Sequence, residues 1–139
     1  MIPRIILVCL CFIVIPFQAM ACSCTNDSFT DQASLKNINK AELIFEGSFV
    51  SIKDAIDAQY FSEVSFRIDT PYKGTNETQS VMAYVDTKTS CGITLMQLEK
   101  QTLFMLYTHK GKYVLAGQCG SYITDADRIA LKRGDYLPK

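Results

Sequence analysis

The chain has 139 residues, and its 14 basic and 14 acidic side chains balance to a formal net charge of zero. A protein that binds nucleic acid normally presents a basic face, so this balance argues against a nucleic-acid partner. The length suits one small domain.

The first 21 residues have the three parts of a secretory signal peptide. Arg4 supplies the positive start, residues 5–15 are an apolar run, and Ala19-Met20-Ala21 gives the Ala-x-Ala cleavage pattern. The run is shorter than the ~20 residues that span a bilayer, and no later apolar segment is longer. We therefore expect residues 1–21 to be removed and residues 22–139 to form one secreted, extracellular domain without a membrane span. In a bacterium, the location would be the periplasm or the cell surface.

The next two predicted elements are a short helix and a bent strand. A weak apolar face predicts the helix over residues 28–37. The strand covers residues 43–52, and Gly47 inside it predicts a bulge of the kind that closes small barrels. Residues 54–60 are a charged connection.

The clearest strand signal lies in the middle of the chain. Val64, Phe66 and Ile68 alternate with polar residues, which is the period of a half-buried strand. Turn residues at 71–74 end this strand in our prediction. A third strand covers residues 81–85 and leads into a polar loop.

The last third of the sequence predicts a hairpin and a second helix. Two strands over residues 102–108 and 113–116 flank a turn. Thr124 predicts a helix start, and Gly134 predicts its end. In total, five short strands with a helix at each end predict a mainly β fold, namely a five-stranded antiparallel barrel of the OB type with short peripheral helices.

Four cysteines remain after the predicted cleavage, and they are Cys22, Cys24, Cys91 and Cys119. An even number in an exported domain predicts two disulfides. Pairing Cys22 with Cys24 would close a strained ring, and the sequence alone leaves the other two pairings open. The cysteine spacing is poor for a structural zinc site.

The chain contains few residues that could catalyse a reaction. Its one histidine, His109, falls in the predicted hairpin turn. The sequence contains no HExxH motif, no Walker loop and no glycine-rich dinucleotide turn. We therefore do not expect an enzyme.

Cleavage after Ala21 would leave a free α-amine on Cys22, and this amine is a candidate functional group. An α-amine has a pKa of about 7.7–8.0, so part of it is neutral at pH 7. The neutral amine and the carbonyl oxygen of the same residue can chelate one metal ion. A zinc protease keeps one zinc position open for water, and a rigidly held amine there would displace the water and stop hydrolysis. Disulfides at the first and third residues would supply that rigidity.

Four stretches together resemble the inhibitory domain of the tissue inhibitors of metalloproteinases, the TIMP or netrin-like (NTR) family. They are Cys22-Ser23-Cys24 at the cleavage point, Tyr72-Lys73-Gly74 after the alternating strand, Cys91-Gly92-Ile93-Thr94-Leu95, and the last strand running into Cys119. The stretches occur in the family's order, and the resemblance as a whole spans nearly all of residues 22–132.

The resemblance implies a fold, a disulfide pattern and a function. The fold would be a TIMP-like OB barrel with disulfides Cys22–Cys91 and Cys24–Cys119. The function would be inhibition of a zinc metalloprotease, and Cys22 would bind the zinc of that protease. The ridge that contacts the protease would consist of Cys22, Ser23, Cys24, Thr25, Thr89 and Ser90, with Ser23 pointing into the specificity pocket. We expect a monomer with no cofactor of its own.

Two other functions fit the same residues. One is a secreted netrin-like module that binds a protein without inhibiting a protease, with Cys22 purely structural. The other is a lipoprotein acylated at Cys22. The segment Ala19-Met20-Ala21-Cys22 lacks the usual leucine three residues before the cysteine, which argues against acylation.

Overall fold

A computed structural model describes residues 24–55, 61–74, 79–87, 89 and 91–136. Its five strands close into a barrel in the order β1-β2-β3-β5-β4. The strands are β1 (Leu43–Asp54), β2 (Phe61–Lys73), β3 (Ser80–Asp86), β4 (Leu103–His109) and β5 (Lys112–Leu115). Short helices lie around the barrel, so the predicted mainly β, OB-like barrel with peripheral helices is confirmed.

The closing seam of the barrel differs from the antiparallel prediction. Four neighbouring strand pairs are antiparallel, whereas β3 and β5 run parallel through the pair Tyr84 and Val114. The reason is arithmetic, because five strands in a closed ring cannot alternate in direction at every junction. On the outer face, Lys112 spans this seam and donates to the Tyr84 hydroxyl at 3.3 Å.

Four helical segments occur in the described part of the chain. They are a 3-10 turn (Asn26–Phe29) and the helices α1 (Asp31–Lys40), α2 (Leu95–Lys100) and α3 (Asp125–Lys132). The helix predicted over residues 28–37 begins later, at Asp31, because the Thr30 side chain caps it by accepting from the amide of Ala33 at 3.1 Å. The predicted start of α3 is confirmed, since Thr124 accepts from the amide of Asp127 at 3.2 Å.

Strand β2 continues through the residues that we predicted to be a turn. Phe45 pairs with Pro71 and Ile44 with Lys73, so Tyr72 is the extra residue at a register shift. Pro71 is tolerated because a proline at such an irregularity does not interrupt a regular ladder. The chain turns directly after the end of β2 at Lys73, at Gly74, where φ is 80°.

The predicted bulge at Gly47 is present. The β1–β2 register shifts between Glu46 and Gly47, and a Cβ at Gly47 would overlap the carbonyl oxygen of Arg67. This glycine therefore allows β1 to bend while it stays paired with β2.

The apolar side chains form two cores. Phe45, Phe66 and Phe104 fill the barrel interior, with ring centroids 4.6–6.0 Å apart. The second core lies between the barrel and the helices α1 and α3, where Ile38 and Leu131 are buried. The two cores fix the barrel and the flanking helices as one unit.

Candidate functional site

The candidate site begins at the disulfide between Cys24 and Cys119. Their Cα atoms are 5.4 Å apart, although 95 positions separate them in sequence. This pairing confirms the predicted Cys24–Cys119 bond and attaches the start of the described chain to the segment after β5. Of the six predicted ridge residues, Cys22, Ser23 and Ser90 lie outside the described residues.

The second predicted disulfide stays a prediction. Cys91 is disulfide-bonded. The predicted partner, Cys22, lies outside the described residues, and so does Ser23. The predicted binding of zinc by Cys22 and the predicted entry of Ser23 into a specificity pocket therefore also stay predictions.

Thr25 follows the disulfide in an extended conformation, with φ −72° and ψ 159°. Its carbonyl oxygen accepts from the amide of Ser28 at 2.9 Å, and the two hydroxyl groups lie 3.3 Å apart. The backbone of Thr25 therefore starts the 3-10 turn, and its side chain stays exposed. An exposed residue fixed between a disulfide and a helical turn is suited to contact a partner with little loss of entropy.

The loop after β3 is organised around Asp86. One carboxylate oxygen of Asp86 accepts from the amide of Thr89 at 3.0 Å, and the other accepts from the Thr89 hydroxyl. The backbone carbonyl of Asp86 accepts from the amide of Ile93 at 2.8 Å. Both ends of the loop are thus held by a single residue.

Gly92 allows this loop to close on itself. A Cβ at this position would overlap the carbonyl oxygen of Asp86 and lie 2.9 Å from its Oδ1. The amide of Gly92 donates to the carbonyl of Thr89 at 3.1 Å. The glycine of the Cys-Gly pair therefore serves close packing, as the absence of a side chain permits.

A side-chain amide connects the loop to the disulfide. Nε2 of Gln118 donates to the carbonyl oxygen of Gly92 at 3.0 Å, and Gln118 is the neighbour of Cys119 in the chain. Cys24 and Ile93 also line one open groove, together with Phe29, Gln97, Gln101, Gln118 and Ser121. The segment that carries Cys24 and the end of the β3 loop at Ile93 thus meet at one end of the molecule.

Two contributors to this end of the molecule were missed from the sequence. Asp86 appeared only as part of a polar loop, and a single aspartate there has no sequence period that would mark its role. Helix α2 was also missed. Its signal is a capping box, in which Thr94 accepts from the amide of Gln97 and Gln97 accepts from the amide of Thr94.

The remaining candidate groups lie elsewhere or are not assembled. His109 is exposed at the end of β4, opposite Lys112. Among the described residues, no three His, Cys, Asp or Glu side chains gather in a way that could hold a metal ion. Within the same ranges, no helix has the length and apolar character needed to cross a membrane.

Comparison of the chain with protein-family models and with curated proteins gave no match. The residues and their geometry are therefore the basis for assigning a function.

Proposed function

We propose that this protein is a secreted inhibitor of zinc metalloendopeptidases and a distant relative of the TIMP or netrin-like family. In this proposal the leader is cut after Ala21, and Cys22 becomes the first residue. Its amine and carbonyl oxygen chelate the catalytic zinc of the target protease. The zinc belongs to the target, and the inhibitor brings no cofactor.

The observation that carries the proposal is the Cys24–Cys119 disulfide. It fixes the third residue of the proposed mature chain, two residues from the amine, to the segment after β5. A chelating group attached to a rigid body loses little freedom on binding, so more of the chelation energy appears as affinity.

The amine would bind at the open coordination position of the target's zinc. A catalytic zinc site has three protein ligands and keeps a fourth position for water or substrate. The neutral amine of Cys22 would take that position and displace the water, which is the nucleophile of hydrolysis. Exposed Thr25 and Thr89 would contact the protease beside the zinc.

The test is a titration with a defined N-terminus. Residues 22–139 are produced in an oxidising compartment, and intact mass confirms that Cys22 is first. The chain is then titrated against a panel of zinc endopeptidases. We expect stoichiometric inhibition of at least one protease and loss of inhibition when one alanine precedes Cys22.

A matched control carries the additional alanine after Lys139 instead. Equal inhibition by the N-terminally extended and the native chains would refute chelation by the amine. No inhibition across the panel would favour the non-inhibitory binding module, and a lipid mass on Cys22 would favour the lipoprotein.

A further inference from the structure

The loop after β3 is shaped by one acidic side chain. The Asp86 carboxylate accepts two hydrogen bonds from the same residue, one from the Thr89 amide at 3.0 Å and one from the Thr89 hydroxyl. The two bonds fix both the backbone direction and the χ1 rotamer of Thr89. Hydrogen bonds to an ionised carboxylate are about twice as strong as neutral ones.

The same residue also holds the far end of the loop. The backbone carbonyl of Asp86 accepts from Ile93, and Gly92 packs against it so closely that a side chain would not fit. The loop is therefore attached to the end of β3 by backbone and side chain together. Thr89 itself remains exposed.

The position of the loop relative to the disulfide is set by a second contact. Gln118 donates to the carbonyl oxygen of Gly92 at 3.0 Å, and Gln118 precedes Cys119. Asp86 thus sets the conformation of Thr89, and Gln118 holds the loop next to the segment that carries Cys24.

We propose that Asp86 is a positioning residue, which presents the Thr89 side chain in a single conformation to the partner of this surface. The conformational part stands on the geometry alone. The binding part rests on the proposed inhibition of a zinc protease. In that setting Asp86 does not touch the protease, and it acts by removing the entropy cost of ordering Thr89 when the complex forms.

The first measurement needs no protease. Amide hydrogen exchange is followed by NMR in the mature chain and in Asp86→Ala, Asp86→Asn and Thr89→Val. We expect exchange at the Thr89 amide to be at least about tenfold faster in Asp86→Ala, because the amide loses a charged acceptor. Asp86→Asn keeps an oxygen acceptor and should restore part of the protection.

The matched control is Asp69→Ala. Asp69 is an exposed acid on β2 whose ion pair with Arg67 is 2.9 Å long. This variant removes one acidic side chain from the neighbouring strand and should leave exchange at Thr89 unchanged. If Asp86→Ala does not fold, Asp86→Asn and Thr89→Val still test the proposal.

The second measurement is the inhibition constant against a protease that the wild-type chain inhibits. We expect Asp86→Ala to weaken inhibition by about tenfold, mainly through loss of preorganisation. If Asp86 acts through Thr89, Asp86→Ala should weaken inhibition less in a Thr89→Val background than in the wild type. A purely structural effect would be the same in both backgrounds.

Two results would overturn the proposal. One is unchanged exchange at Thr89 in both Asp86 variants. The other is faster exchange combined with unaltered inhibition. If the wild-type chain inhibits no protease, the proposed function fails, and the exchange experiment then decides the role of Asp86 by itself.

Discussion

Tyr72, Lys73 and Gly74 are consecutive residues, and each holds a different part of the fold. The Tyr72 hydroxyl donates to the Glu46 carboxylate at 2.5 Å. The Lys73 ammonium donates to three carbonyl oxygens, two in the last turn of helix α1 and one just after the helix ends. Gly74 has φ of 80° and lies against the carbonyl of Glu42. This triplet was part of the resemblance, and its function in the structure is to join β2 to β1 and α1.

The Tyr72 hydrogen bond predicts a loss of stability at high pH. The hydrogen bond to Glu46, together with burial, raises the pKa of Tyr72 to about 12. The folded protein therefore holds this proton more tightly than the unfolded chain, in which the pKa of tyrosine is about 10. Its stabilising contribution is complete below pH 10 and is lost as the pH rises from about 10 to 12.

The measurement is urea denaturation of the wild type and of Tyr72→Phe between pH 9 and 12. We expect the difference in the free energy of unfolding between the two proteins to shrink over this interval, because phenylalanine does not titrate. A difference that stays constant across the interval would show that Tyr72 does not carry the raised pKa.

At the scale of the element, helix α1 is held by its partners more than by its own sequence. Ser34 is fully buried, and its hydroxyl donates to the Asp127 carboxylate at 2.5 Å and accepts from the amide of Thr124 at 3.0 Å. Asn37 donates to the carbonyl of Tyr122 at 3.0 Å. These bonds connect α1 to the start of α3. At its other end α1 depends on β2, through Lys73.

Removing the Lys73 ammonium should therefore destabilise α1. In Lys73→Met the three carbonyl oxygens of Ile38, Asn39 and Ala41 lose their shared donor, while the aliphatic part of the side chain is kept. We expect a loss of about 1–3 kcal/mol in the free energy of unfolding, the usual cost of leaving such groups unpaired.

The control is Lys36→Met, which changes an exposed lysine on the same helix. Its effect should be within about 0.5 kcal/mol, as for most surface substitutions. Urea denaturation measures both variants, and equal stability of Lys73→Met and Lys36→Met would contradict the proposed contribution of the Lys73 hydrogen bonds to the stability of α1.

The elements also show how far the sequence could predict the fold. Alternation at Val64, Phe66 and Ile68 predicted β2, because a barrel strand has one buried face. It could not predict that β2 continues past Pro71, since that depends on a register shift against β1. Helix α2 was missed because its apolar residues do not follow a helical period in the sequence. Two of them, Leu95 and Met96, are exposed in the structure and do not belong to a buried face.

The candidate site was less predictable than the fold. The resemblance predicted the Cys24–Cys119 bond, which depends on a simple cysteine pattern. The role of Asp86 depends on tertiary contacts with Thr89 and Ile93. A carboxylate in a polar loop has no sequence period, so it could not be distinguished from an ordinary solvated acid.

At the scale of the whole molecule, one disulfide encloses the entire barrel. All five strands lie between Cys24 and Cys119 in the sequence. In the chain-entropy model, a crosslink across roughly 95 residues lowers the entropy of the unfolded chain by an amount worth about 4–5 kcal/mol. Such an amount is comparable to the total stability of many small domains.

The double variant Cys24→Ala with Cys119→Ala should therefore lose about 2–5 kcal/mol in the free energy of unfolding. The neighbouring variant Thr25→Ala leaves the disulfide intact and serves as the control. Thermal and urea denaturation measure the change. A loss below about 1 kcal/mol would mean that the barrel hardly depends on this crosslink.

The parallel seam between β3 and β5 predicts where the barrel opens locally. Among the described residues, these strands share the single pair Tyr84 and Val114, whereas β4 and β5 share four pairs. Local opening follows the weakest cooperative boundary of a structure. The β4–β5 hairpin should therefore separate from β3 before any other pair of strands parts. The Lys112–Tyr84 contact crosses this seam and opposes the opening.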